Sequence, residues 1–165
     1  MLKPQPLTVT LPSDREIVIT RMVNAPRHLV FDCYTKPELV RRWLLGPSGW
    51  TMPVCEIDLR VGGRYRYVWQ HADGRQMGMG GVFREIDPPH RVIQTELFDQ
   101  DWTGGETIST LVLTEEQCRT TIANTVLYAS KEARDGALKT GMTDGMEAGY
   151  VRLDELAAEL LAASR

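Results

Sequence analysis

The stretch MTDGMEAGYVRLDELAAELL, residues 142–161, breaks with the rhythm of the chain before it. Met142, Met146, Gly149, Tyr150, Leu153, Leu156, Ala157, Leu160 and Leu161 recur at intervals of three and four, while Asp144, Glu147, Arg152, Glu155 and Glu159 occupy other faces. That spacing predicts a long amphipathic helix with one apolar stripe. Gly141 and Thr143 mark its start, and Ser130 ahead of residues 131–135 predicts a short capped helix just before it. An apolar stripe on a terminal helix must be covered, so the reading turns on what precedes it.

What precedes it is mostly strand. Leu7, Val9 and Leu11 alternate with threonines before a Pro12-Ser13-Asp14 turn, and residues 16–23 form a β-branched run. Asn24-Ala25-Pro26 predicts a helix start, with Asn24 or Ala25 as cap and Pro26 in the first turn, and Leu29, Val30, Phe31 and Tyr34 form its apolar face. Pro37 begins a second short helix carrying Leu39, Val40 and Trp43, stopped by Gly46-Pro47 and Ser48-Gly49. Strands are then expected over 54–59, 64–69, 77–86, 92–98, 107–113 and 120–127. Their turns are marked by Gly62-Gly63, Ala72-Asp73-Gly74, Asp87-Pro88-Pro89-His90, a loop over 99–105, and Glu115-Glu116-Gln117. In the second of these strands Tyr65, Tyr67 and Trp69 share one face and Arg64 and Arg66 the other, which is expected to face solvent.

The order of elements gives an α+β, helix-grip architecture: a curved antiparallel sheet wraps the long C-terminal helix, and two short helices after the first strand close one end. Residues 1–15 are read as an N-terminal extension and first strand segment, and 16–165 as one domain, since no repeat or linker divides the chain. A concave sheet around one helix seldom fills with its own side chains, so a cavity is expected.

Composition narrows the function. The 165 residues are 42% hydrophobic and 25% charged, and 19 Lys plus Arg against 22 Asp plus Glu leave a net charge of −3. There is no basic field for nucleic acid, so no nucleic-acid partner is expected. No apolar run nears the ~20 residues that span a bilayer, and the first residues carry no signal core, so a cytoplasmic protein without membrane insertion is expected. Cys33, Cys55 and Cys118 are odd in number and widely spaced, and are read as reduced thiols in or near the core. His28, His71 and His90 share no helix face, so no metal site is expected, nor is any cofactor, since neither a phosphate-binding loop nor a dinucleotide fingerprint occurs.

Several motifs taken in order carry a family likeness. Thr20-Arg21, Asn24-Ala25-Pro26, Val30-Phe31, Thr35, Pro37-Glu38, Trp43, Gly46-Pro47 and Trp50-Thr51 resemble the opening of the activator-of-Hsp90-ATPase-homologue-like branch of the START/Bet v 1 (SRPBCC) superfamily. The likeness continues through Asp58-Leu59-Arg60, Gly62-Gly63-Arg64-Tyr65, Asp73-Gly74, Gly81, Glu85-Ile86, Pro88-Pro89, Arg91-Val92, residues 130–135 and Gly141-Met142 with Gly145, covering roughly residues 16–162. The chain departs at Trp43-Leu44-Leu45, where many relatives have adjacent tryptophans, and at His90, where glutamate is common. The resemblance implies a hydrophobic ligand-binding domain with its pocket between the sheet and the last helix. It implies no particular reaction. Hsp90 binding is not carried over, because the eukaryotic co-chaperones that name the family have an additional N-terminal domain.

The expected ligand-binding residues are Trp43, Met52, Tyr65, Tyr67, Trp69, Met79, Phe83, Met142, Met146 and Tyr150, with Met77 as a further neighbour. Aromatic rings and thioethers suit varied apolar shapes, and Tyr and Trp add polar tips. On strand 77–86 both Met77/Met79/Phe83 and Val82/Ile86 are apolar, so the inward set stays open. Arg21 lies on the face of Ile17, Ile19 and Val23, where it needs a carboxylate partner or serves as an anchor for a ligand acid. Glu56 and Asp58 share a strand face, and Glu85, Glu96 and Glu106 lie on separate strands. No acid pair emerges from spacing, and no catalytic residue is expected. The partner is therefore a small hydrophobic molecule, with self-pairing into a homodimer as an open option. A cyclase-, aromatase- or hydrolase-type enzyme on the same pocket, or a co-chaperone or interaction module, is the alternative.

Overall fold

The computed structural model describes residues 5–164, so the start of the chain, read above as lacking a signal core, lies outside the described residues. Thr8–Thr10 (β1) pairs antiparallel with Glu16–Val23 (β2), so part of the N-terminal extension forms an edge of the main sheet. In β2 Ile17, Ile19, Arg21 and Val23 are buried and alternate with half-buried residues, as period-two patterning requires.

Helices α1 (Arg27–Thr35) and α2 (Pro37–Trp43) follow. The first begins one residue later than expected: Pro26 stays extended as the cap, and its carbonyl receives the Leu29 and Val30 amides. Proline's fixed φ serves either position. Pro37 occupies the first turn of α2 as predicted.

Strands β3 (Trp50–Ile57), β4 (Arg64–His71), β5 (Gln76–Asp87), β6 (Arg91–Phe98), β7 (Thr107–Glu116) and β8 (Arg119–Leu127) form a continuous meander. The eight-stranded sheet has the order β1-β2-β8-β7-β6-β5-β4-β3. The two helices thus carry the chain from β2 to the far edge, and the meander returns to pair β8 with β2. Strand β3 starts at Trp50 rather than Val54, because Pro53 sits at a register shift in an edge strand, where a missing amide is tolerated. Leu59, expected in this strand, falls in the following turn and is exposed.

Two local features correct the sequence reading. The β7–β8 turn is only Gln117-Cys118, both with positive φ (54° and 59°), between paired Glu116 and Arg119. These angles are those of a tight primed hairpin, and they leave Cys118 exposed, whereas Cys33 and Cys55 are buried. On β5 a register shift between Phe83 and Glu85 switches the facing side chains, so Met77, Met79 and Phe83 face inward before it, and Ile86 packs against the core after it. Gly81 precedes this bulge, and a Cβ there would lie 1.9 Å from the Thr95 carbonyl oxygen, so only glycine permits the approach.

Helices α3 (Lys131–Leu138) and α4 (Met142–Ala163) complete the chain, and α4 lies in the concavity of the sheet with Tyr150, Leu153, Leu156 and Ala157 buried. The Ser130 hydroxyl accepts the Ala133 amide at 3.0 Å as the predicted cap. Ser130→Ala is therefore expected to cost about 1 kcal/mol, read as a small fall in the denaturant midpoint with an unchanged slope. Among the described residues no helix is long and apolar enough to cross a membrane.

Arg21 reaches from β2 to the terminal helix. Its guanidinium, 3% exposed, donates to both Glu147 oxygens at 3.0 and 3.1 Å and to both Asp154 oxygens at 3.1 and 2.8 Å. Glu147 Oε1 also accepts the Leu7 amide at 2.8 Å. Of the two readings of Arg21, the carboxylate-partnered one is realised, and with a fifth bond to the Met22 carbonyl at 2.7 Å its five donors are committed to the fold.

Candidate functional site

Because α4 covers only part of the concave face, the sheet, α4 and the α1–α2 end enclose a cavity of about 590 Å³. That volume suits a small organic molecule. Its wall is mainly aromatic and thioether. From α2, Trp43 donates its indole N–H to the Cys33 carbonyl at 2.8 Å and stacks on Tyr150 of α4 with centroids 6.1 Å apart. From β4 come Tyr67 and Trp69, in edge contact at 5.8 Å, and Trp69 donates to the Leu44 carbonyl at 2.7 Å. From β5 come Met77, Met79 and Phe83, and from α4 Met142 and Met146.

Eight of the ten residues singled out in the sequence therefore lie on one wall: Trp43, Tyr67, Trp69, Met79, Phe83, Met142, Met146 and Tyr150. Met52 and Tyr65 are buried but lie off it. Met52 belongs to edge strand β3, next to the irregularity at Pro53. The Tyr65 ring packs on Tyr67 and Phe83, and its hydroxyl donates to the Thr95 carbonyl at 2.6 Å, at the gap left by Gly81. Tyr65 is thus occupied in satisfying the backbone beside the bulge.

The mouth lies where the α2–β3 loop meets the α3–α4 junction. Leu44, Leu45, Gly46 and Pro47 line one side and Thr140, Gly141 and Gly145 the other. A Cβ on Gly145 would stand 3.3 Å from the Pro47 ring, which shows how closely the two segments approach. Met77 and Trp102 add exposed apolar surface at the rim, and Trp102 leans on Phe98 with centroids 4.9 Å apart. The Leu44-Leu45 departure from the family pattern therefore falls on the wall at the entrance.

Of the polar part of the wall, the sequence reading named only Glu96, as one of several strand carboxylates. Gln94 and Glu96 of β6, Thr107 and Ser109 of β7 and Asn124 of β8 all line the cavity. The Ser109 hydroxyl donates to Asn124 Oδ1 at 2.8 Å, and the Thr107 hydroxyl lies 3.4 Å from Glu96 Oε1. Burial pushes the Glu96 carboxyl up to about 7, opposed by the Thr107 hydrogen bond. The phenols around it stay neutral, since burial raises Tyr67 and pushes Tyr128 and Tyr150 up to about 12. No pattern marked this strip, because both faces of β6 mix polar and apolar residues and charged strand residues usually face water. Among the described residues no group of His, Cys, Asp and Glu is arranged to hold a metal ion.

Comparison with known proteins places this geometry. The sequence profile described as activator of Hsp90 ATPase homolog 1-like protein matches residues 24–158. A crystal structure of a Rhodobacter sphaeroides protein is similar at 34% identity over 94% of this chain and 99% of that chain, with a TM-score of 0.89. A Mycobacterium smegmatis crystal structure is similar at 26% identity over 92% and 96% of the two chains, with a TM-score of 0.80. One from Nitrosomonas europaea shares the fold at 23% identity, covering 92% and 99%, with a TM-score of 0.81. No significant match was found among curated proteins. The profile spans most of the chain and the solved relatives share its order of elements, so the chain belongs to the activator of Hsp90 ATPase homolog 1-like protein family, of the START/Bet v 1 type.

Proposed function

We propose that this protein binds a small, mainly apolar molecule in the cavity between the sheet and α4, and acts as a binding protein rather than an enzyme. The supporting observation is the half-open cavity of about 590 Å³ walled by Trp43, Tyr67, Trp69, Phe83 and the methionines of β5 and α4. A wall of this kind offers apolar area with adaptable shape and few fixed polar demands. In the same reading the protein works in the cytoplasm without cofactor or metal. The free edges at β1 and β3 offer backbone groups for pairing with a second copy.

A thermal-shift screen of aromatic, lipid-like and polyketide-like compounds tests the reading. A compound at about 100 times its dissociation constant adds about 2.7 kcal/mol and should raise the midpoint by roughly 5–10 °C. Val126→Phe, which fills the cavity from β8, should suppress the shift while leaving a cooperative melt. Silence across the panel, or shifts unchanged in Val126→Phe, would overturn the reading.

The catalytic reading of the same cavity has one observation in its favour, the Glu96 carboxyl on the wall, since an acid in an apolar site suits proton transfer. Its signature would be turnover of a bound carbonyl compound that disappears in Glu96→Gln.

A further inference from the structure

We propose that the molecule held in this cavity is a hydrophobic amine, an apolar and preferably aromatic body carrying a basic nitrogen that pairs with Glu96. The inference rests on the cavity-binding reading above and specifies its ligand.

Among the described residues Glu96 is the one carboxylate lining the cavity, and no Lys, Arg or His lines it with Glu96. Among the described residues Glu96 enters no ion pair, and its polar contact is the 3.4 Å hydrogen bond from Thr107. The two arginines that contact α4 or project from it are committed elsewhere: Arg21 to Glu147 and Asp154, and Arg152 to the Gly46 carbonyl at 2.7 Å. An ionised carboxylate among neutral groups lacks the counter-charge that a ligand ammonium would supply. The rings of Tyr67, Phe83 and Tyr128 line the same space, and a ring face offered to a ligand ammonium would favour it further. A ligand acid would instead meet a carboxylate with no cation to offset it, so fatty or aromatic acids are disfavoured.

The groups that face Glu96 do not compete for its charge. Tyr65 and Tyr67 on β4 and Tyr128 after β8 feel the Glu96 charge, and all three are phenols that burial keeps neutral. Glu106, beside Thr107 on β7, is exposed and lines a groove on the outer side of the sheet. With Glu96 titrating near 7, amine binding should strengthen as pH rises through that value, while the amine itself is still protonated.

The test is calorimetric titration with three matched probes, naphthylmethylamine, naphthylmethanol and naphthylacetic acid. At about pH 8 the amine should bind at least about tenfold more tightly than the alcohol, and the acid more weakly than both. The preference should fade towards about pH 5 as Glu96 becomes neutral. Glu96→Gln, which removes an unpaired charge and so should not unfold the protein, should bring the amine to within about twofold of the alcohol when both are measured on that variant. Equal binding of amine and alcohol to the wild type, a flat pH profile, or a preference that survives in Glu96→Gln would overturn the amine assignment while leaving cavity binding in place. Failure of all three probes to bind would overturn both.

Discussion

Trp43→Ala is expected to lower the unfolding free energy by about 4 kcal/mol and the melting midpoint by roughly 8–15 °C. Trp43 is 2% exposed and lies between Tyr34, in edge contact at 4.8 Å, and Tyr150, stacked at 6.1 Å. Removing the indole enlarges a cavity that exists already, so the surroundings have little to collapse onto. It also strips the Cys33 carbonyl of its donor. That carbonyl is among the last of α1, where helix geometry provides no amide, and the indole N–H satisfies it from α2. Trp43→Phe separates the two contributions: it keeps a ring against Tyr34 and Tyr150 but loses the N–H, and should cost about 1–2 kcal/mol for the unpaired carbonyl. Chemical denaturation of the three proteins measures both steps. If Trp43→Ala costs no more than Trp43→Phe, the indole does not brace this end of the cavity.

Arg21→Met should cost about 3 kcal/mol, a drop of roughly 6–12 °C in the melting midpoint, by leaving two carboxylates of α4 against the sheet without their cation. The Arg21 side chain is 2% exposed, but Glu147 and Asp154 retain 26% and 24%, so water relieves part of the penalty and the low end of the range for broken buried pairs applies. The pH dependence carries a second signature. Burial works to raise Glu147, but the Arg21 hydrogen bond, the Leu7 amide and the Arg21 charge together hold it below the usual glutamate value. Its contribution is therefore complete above the ordinary carboxylate range and disappears as pH falls through the lowered value. Asp154 is pushed up by burial beyond what Arg21 recovers, and works in the opposite sense. The acid-side loss due to the clamp thus belongs to Glu147, and Arg21→Met should flatten it. A melting midpoint within about one degree of wild type at neutral pH would show that the clamp adds no stability.

The two variants join fold and site. Trp43 ties α2 to α1 and stands on the cavity wall, while Arg21 ties β2 to α4, which covers the same space. A variant of either residue that still folds should bind naphthylmethanol with altered affinity, because the wall moves with the element that carries it.

Period alone determined most of the architecture. The change from alternation to three- and four-residue spacing at Met142 set the terminal helix, and the turn residues between short β-branched runs set the meander, because backbone geometry allows few ways to bury such patterns. The same alternation put Tyr67 and Trp69 on the face that α4 covers, since one face of that strand is aromatic and the other cationic. Where both faces were mixed, only the assembled sheet decided. The bulge at Phe83 and Glu85 turns Met79 and Phe83 inward, and Gly81 draws the Tyr65 hydroxyl to Thr95 and away from the cavity. Pairing of β6 with β7 places Glu96 opposite Thr107, on the cavity wall. A strand's own sequence specifies which residues share a face; which face becomes the inside is set by twist, bulges and the helix laid against it, and those are properties of the whole chain.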